Sequence, residues 1–151
     1  MGILGDLFPE HERQKYIGRH LEPGQVLFLF CKFTNPQKEK YLVVACTGKR
    51  PLLFVINSRI HPFIEKQPVL LKCQVKLSAS DYDFLDHDSF VDCSKVIDHF
   101  RDSEIREQLL ADIGRVKGEF NANTISDVVR AVQSAKTIST HHKDKIVASL
   151  K

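Results

Sequence analysis

Apolar residues recur along this chain in two rhythms, and the change between them divides it. From about residue 25 to 96 they gather in short runs: QVLFLFCKF, KYLVVAC, PLLFVINS, VLLKCQVKLS and SFVDCSKV. Each run is rich in the β-branched, aromatic and aliphatic side chains that suit a pleated, half-buried surface. Between them stand TNPQKE, TGKRP, HPFIEKQP and SASDYDFLDHD, where proline removes ladder donors and glycine adds backbone freedom. Five such strands, joined by links too short for parallel crossovers, predict an antiparallel sheet that curls or closes. PLLFVI is apolar at both parities, so it belongs in the middle of the sheet, covered on each face.

Past residue 100 the period lengthens. Ile105, Leu109, Leu110, Ile113 and Val116 recur at helical spacing behind Ser103, a candidate N-cap, until Gly118 interrupts. Thr124 with Asp127 offers a cap pair ahead of Ile125, Val128, Val129 and Val132, and Thr140 one ahead of Ile146, Val147 and Leu150. PEHERQKYIGRHL reads as a short helix with Pro9 in its first turn. The expected organisation is one domain over 1–151: an N-terminal helix or arm (1–22), a small β-barrel or sheet (23–100), and two or three helices (101–151). The apolar faces of the last helices must be covered by the barrel or by a partner chain.

Composition narrows the class. A chain of 151 residues can bury most of its apolar surface in one core, and 42% hydrophobic with 27% charged residues excludes a disordered or fibrous chain. Cys31, Cys46, Cys73 and Cys93 form no CxxC pair and sit in apolar runs, so they read as four reduced, buried thiols. No run approaches the ~18 apolar residues of a membrane span. MGILGDLFPEHERQK has no basic stretch ahead of a hydrophobic one, and Asp6 stands where a myristoylation signal has Ser or Thr. A cytoplasmic protein without membrane contact is expected.

Charge is unevenly spread. Residues 1–80 hold twelve Lys and Arg against six Asp and Glu, residues 81–112 three against ten, and residues 113–151 seven against three. A basic first half is compatible with a polyanionic ligand such as RNA.

Three stretches carry candidate chemistry. LDHDSFVDCSKV gathers Asp86, His87 and Asp88 ahead of a strand, but no glycine stands between 81 and 92 to shape a cation loop and HExxH is absent. The expected reading is a side-chain-to-backbone turn, with no bound metal or other cofactor; a metal hydrolase at those three residues would be the competing account. Asp92, inside the strand, is either exposed or paired with a basic neighbour. Strict alternation puts Ser89, Val91, Cys93 and Lys95 on one face and Phe90, Asp92, Ser94 and Val96 on the other.

In VINSRIHPF, Asn57, Ser58, Arg59 and His61 arrive together where a central strand ends. Ser58 can donate a hydrogen bond, Arg59 can hold a phosphate with its planar fork, and His61 can move a proton near neutral pH. The structural alternative is a turn at Asn57 and Ser58 with His61 extended before Pro62. Lys38, Lys40, Lys49 and Arg50 are basic residues in the first two hairpin loops, and both loops are expected to border this strand end.

The order PGQVLFLF, polar loop, KYLVVA, PLLFVINS, SFVDCSKVIDHFR and helix resembles the PemK/MazF family of bacterial toxins over roughly residues 23–116. Gly24, Gln25 and Val26 match its opening strand, Val43 and Val44 the second, Ser58 the end of the third, and Ser89, Phe90, Val91 and Cys93 the last. The resemblance implies an SH3-like antiparallel barrel related to CcdB, a homodimer, an antitoxin partner, and metal-independent cleavage of single-stranded RNA by the ribose 2′-hydroxyl. It places Ser58 at the phosphate; Arg59 and His61 are expected to substitute for family groups missing here, and the basic loop residues Lys38, Lys40, Lys49 and Arg50 to bind RNA on the rim. Lys38 and Lys40 stand where the family has an arginine, and Cys93, Ser94 and Lys95 replace its CDQ. These departures leave a non-catalytic PemK-like binding module as the alternative.

Overall fold

The computed structural model describes residues 9–151; the opening MGILGDLF, which bears on the leader and acylation expectations, lies outside the described residues. The chain builds one six-stranded sheet, all of it antiparallel, curled into a half-barrel and flanked by helices. Helix α1 (Glu10–His20) leads into β1 (Gln25–Cys31), β2 (Lys38–Cys46) and β3 (Leu52–Asn57). Two short helical turns, α2 (Pro62–Glu65) and α3 (Pro68–Leu71), precede β4 (Gln74–Leu77) and β5 (Ser89–Asp92). Then come α4 (Asp102–Ala111), β6 (Val116–Glu119), α5 (Ala122–Ser134) and α6 (Thr140–Leu150). The spatial order is β4-β5-β3-β2-β1-β6, which leaves β4 and β6 as edges.

The double-sided apolarity of β3 has the expected consequence. Leu52, Phe54 and Ile56 enter a core with Val43, Val75, Val91 and the C-terminal helix residues Val128, Val132 and Ile146. Leu53, together with Leu27, Leu29, Leu42 and Val44, enters a second core closed by Ile17, Leu21, Ile105 and Leu109. Thus α5 and α6 cover one face of the half-barrel and α1 and α4 the other. The apolar faces of α5 and α6 are therefore covered by the chain's own sheet.

Gly24 opens β1 with φ +93, a left-handed conformation that L side chains resist. From there its N–H donates to Val44 O at 2.7 Å and its carbonyl accepts from Phe120 N at 2.9 Å, tying β1 to both neighbours. Further along, the outer edge of β1 outruns β6. There Gln108 acts as a substitute strand: Phe30 N donates to its Oε1 at 2.9 Å and its Nε2 donates to Phe30 O at 3.2 Å. Arg115 completes the edge, donating from Nη1 to Phe28 O at 2.8 Å and from Nη2 to Glu39 at 3.0 Å.

Several local expectations are corrected. VLLKCQVKLS is a strand only from Gln74, because Pro62 and Pro68 each start a helical turn. The helix expected to run to Val116 stops at Ala111: Asp112 takes φ −152 and accepts from Gly114 N, and the chain returns as β6 against Gln25–Leu27. The caps of the last three helices shift as well. Arg101 N donates to Glu104 in place of a Ser103 cap, and Asn121 and Ser139 hold the positions assigned to Thr124 and Thr140. Thr124 is instead a buried partner of the Tyr82 hydroxyl, which also accepts from Asn121 N at 3.2 Å.

All four cysteines are free; Cys31, Cys73 and Cys93 are buried, and Cys46 is half-buried. Burial pushes the thiols of Cys31, Cys73 and Cys93 up, with Asp92 adding to the effect at the last two. A disulfide-exchange reagent should therefore modify Cys46 fastest, with the other three reacting fully only in denaturant. Equal rates at all four under native conditions would contradict the packing. Tyr82→Phe should strand the buried Thr124 hydroxyl and the amide of Asn121, lowering the unfolding free energy by about 1–3 kcal/mol in a denaturant titration. An unchanged midpoint would show that this contact does not anchor α5.

Candidate functional site

Polar residues leave the double-covered sheet where β2 begins, where β3 ends and where β5 ends. Strand register does the gathering: Tyr41 pairs with Ile56, which sets Lys40 beside Asn57, and Asn57 pairs with Phe90. Lys40 Nζ donates to Asn57 Oδ1 at 3.2 Å. Both line a cavity of about 220 Å³ with Phe33, Thr34, Asp92 and Lys95. Phe33 and Thr34 come from the β1–β2 loop, where the Asn35–Pro36 peptide is cis.

Asp92 is the anchored member of the group. Its Oδ1 accepts from Gln74 Nε2 at 2.8 Å, from Ser94 N at 3.0 Å and from the Ser94 hydroxyl, whereas Oδ2 has no hydrogen-bond partner among the described residues. Gln74 is its cross-strand neighbour on β4. The bond from Ser94 N ends β5 in a turn. That turn corrects the alternation expected from sequence: Lys95 does not follow Val91 and Cys93 but lines the cavity with Asp92. The direct partners of Asp92 are thus an amide, a backbone N–H and a hydroxyl rather than a basic residue.

Lys40 sits in an unfavourable place for an ammonium. Burial is the largest influence pulling its pKa down, the charge of Lys38 adds to it, and Cys31 and Asp92 act in the opposite sense. The cluster therefore combines a half-buried lysine, a second lysine, and a carboxylate with one oxygen held and one free. Such a set can bind an anionic oxygen and exchange a proton with a bound hydroxyl.

The residues assigned from sequence fall in two places. Ser58, Arg59 and His61 follow β3 as an exposed bend and do not line this cavity. His61 Nδ1 accepts from Phe63 N at 3.0 Å as the cap of α2, so that nitrogen is already in use. Lys38 begins β2 at the same end as Lys40. Lys49 and Arg50 lie at the far end of the β2–β3 hairpin, about 20 Å away at ~3.3 Å per strand residue. There Lys49 lines a hollow with Arg101 and Asp102, and Arg50 donates to Asp98 O at 3.2 Å. The expectation that both loops border the strand exit is therefore corrected for 49–50.

Asp88 matches the structural reading of the LDHD stretch. It accepts from Ala79 N at 2.9 Å and pairs with Lys76 at 3.5 Å; the Ala79 bond chiefly, with help from Lys76, holds its carboxyl below the ordinary range. Among the described residues, no group of three or more His, Cys, Asp or Glu is placed to hold a metal ion. No helix among them is long and apolar enough to cross a membrane. No protein-family model matches the chain, and no curated protein matches its sequence.

A lysine whose pKa is lowered on folding gives a signed prediction. The unfolded chain binds the proton more tightly, so the cost of burying charged Lys40 is present at neutral pH and is relieved as pH rises from the lowered value toward 10.5. The stability difference between the wild-type protein and Lys40→Met should therefore shift in favour of wild type across that window. A pH-independent difference in denaturant titrations would show that Lys40 is solvated in the folded protein.

Proposed function

We propose that the chain is a PemK/MazF-like domain on an SH3-like barrel, cytoplasmic and homodimeric with an antitoxin partner, that cleaves single-stranded RNA without a metal. The observation that carries this reading is the Asp92 carboxylate, fixed through Oδ1 and free at Oδ2, beside Lys40 and Lys95. In the proposed reaction Asp92 Oδ2 takes the proton of the ribose 2′-hydroxyl. The new O2′–P bond forms as the P–O5′ bond breaks, and Lys40 supplies a proton to the departing O5′. Lys95 and the Asn57 amide hold the non-bridging oxygens while charge builds on them. Ser58 and Arg59, next in the chain after Asn57, and Lys38 at the start of β2 form the rim on which the neighbouring phosphates lie. The product ends in a 2′,3′-cyclic phosphate.

A second reading, a non-catalytic binding module, is favoured by one observation. Phe63, Val69 and Leu71 are exposed at 62%, 45% and 39%, all within the two helical turns that follow the strand exit. Incubation of purified protein with single-stranded RNA in chelator separates the two. Cleavage leaving cyclic phosphate, reduced about a hundredfold or more in both Asp92→Asn and Lys40→Ala, supports the enzyme. Cleavage at the wild-type rate by folded Asp92→Asn would remove Asp92 from the mechanism. Intact RNA together with a stable complex that is lost in Phe63→Ser supports the binding module.

A further inference from the structure

A larger cavity, about 620 Å³, lies between the β1–β2 loop and α4, within the ~300–1,000 Å³ range of small-ligand sites. Phe33 lines both this cavity and the smaller one beside Lys40, so the two are neighbours across one ring. Phe33 stacks on His99 with ring centroids 4.3 Å apart and planes 19° from parallel, and Phe100 meets its edge at 5.6 Å. An aromatic wall of this kind suits a flat ring.

The polar lining is mostly committed. Gln108 and Arg115 are spent on the β1 edge, Glu104 on Arg101 N and Asp112 on Gly114 N. Glu107 and Lys32 line the same cavity, and neither side chain has a partner among the described residues. A free carboxylate presents two acceptors side by side, and a free ammonium presents donors. Guanine alone among the four RNA bases matches both, offering adjacent N1–H and N2–H donors on one edge and the O6 acceptor next to them. Adenine presents the reverse order, an N1 acceptor beside an N6 amino donor, so it offers the carboxylate one donor where guanine offers two and sets N1 against the second carboxylate oxygen.

We propose that this cavity is a guanine subsite, in which the base stacks against Phe33, Glu107 accepts from N1–H and N2–H, and Lys32 donates to O6. As an RNA subsite it rests on the reading above, the base belonging to the nucleotide next to the phosphate held at Lys40 and Lys95. Binding of free nucleosides tests it separately, because they carry no phosphate.

Full-length protein titrated with guanosine, inosine and adenosine by NMR should show saturable binding of guanosine. Inosine, lacking the N2 amino group, should bind about tenfold more weakly, and adenosine should not saturate. Glu107→Gln should abolish the difference between guanosine and inosine. Phe33→Leu, which keeps the apolar volume, should weaken guanosine about tenfold. Thermal unfolding checks that both variants are folded. Guanosine that fails to bind at millimolar concentration, binds no better than adenosine, or binds folded Glu107→Gln as it does wild type would overturn the proposal, even if the protein cleaves RNA. Guanosine selectivity in a protein that leaves RNA intact would keep the pocket and sink the nuclease.

Discussion

The architecture depends on a central strand that must be dry on both sides. Leu52, Phe54 and Ile56 point one way, Leu53 the other, and Phe54 and Leu53 are fully buried. A sheet built around such a strand requires a helical layer on each face, and α1 with α4 and α5 with α6 supply them. Polar side chains can leave this arrangement only at strand ends. Lys40 and Asn57 stand where β2 begins and β3 ends, and Asp92 closes β5 beside the same cavity, so the site follows from the way the core is closed.

Within that site the energetics oppose one another. Asp92 is stabilised by three donors on a single oxygen, which fixes its plane through the register of β4 and β5. Lys40 donates to Asn57 and is held where burial disfavours its charge. A rigid carboxylate next to a reluctant ammonium is a pairing that a bound phosphate would relieve, since the incoming anion compensates the lysine and leaves the acid's free oxygen for a hydroxyl.

The sheet was legible wherever burial leaves a continuous apolar run. That holds for β1, β2, β3 and β5 and for the helical period after residue 100. It fails for β6, because Val-Lys-Gly-Glu is short, holds a single large apolar side chain and continues the helical spacing from Ile105 to Ile113, and it is a strand only because β1 offers it an edge. The site was half legible for a similar reason. Asp92 stood out as a charge inside a strand, and Lys40 as a basic hairpin residue, but their meeting depends on cross-strand register. Ser58, Arg59 and His61 drew notice through closeness in sequence, yet Ser58 and Arg59 fall in an exposed bend past the end of β3 and a cap uses one nitrogen of His61. Glu107 and Lys32 belong to no motif or spacing in the sequence, and only the packing of α4 beside the β1–β2 loop sets them around one hollow.

The side chains of Gln108 and Arg115 along β1 bear on how the protein behaves at high concentration. Any bare strand margin is a template on which identical molecules stack into insoluble cross-β material. By occupying that margin with a glutamine amide and a guanidinium, helix α4 and the turn after it keep neighbouring copies from zipping on. Loosening of the α4 region would thus expose a nucleus for aggregation at the same moment as it opened the cavity.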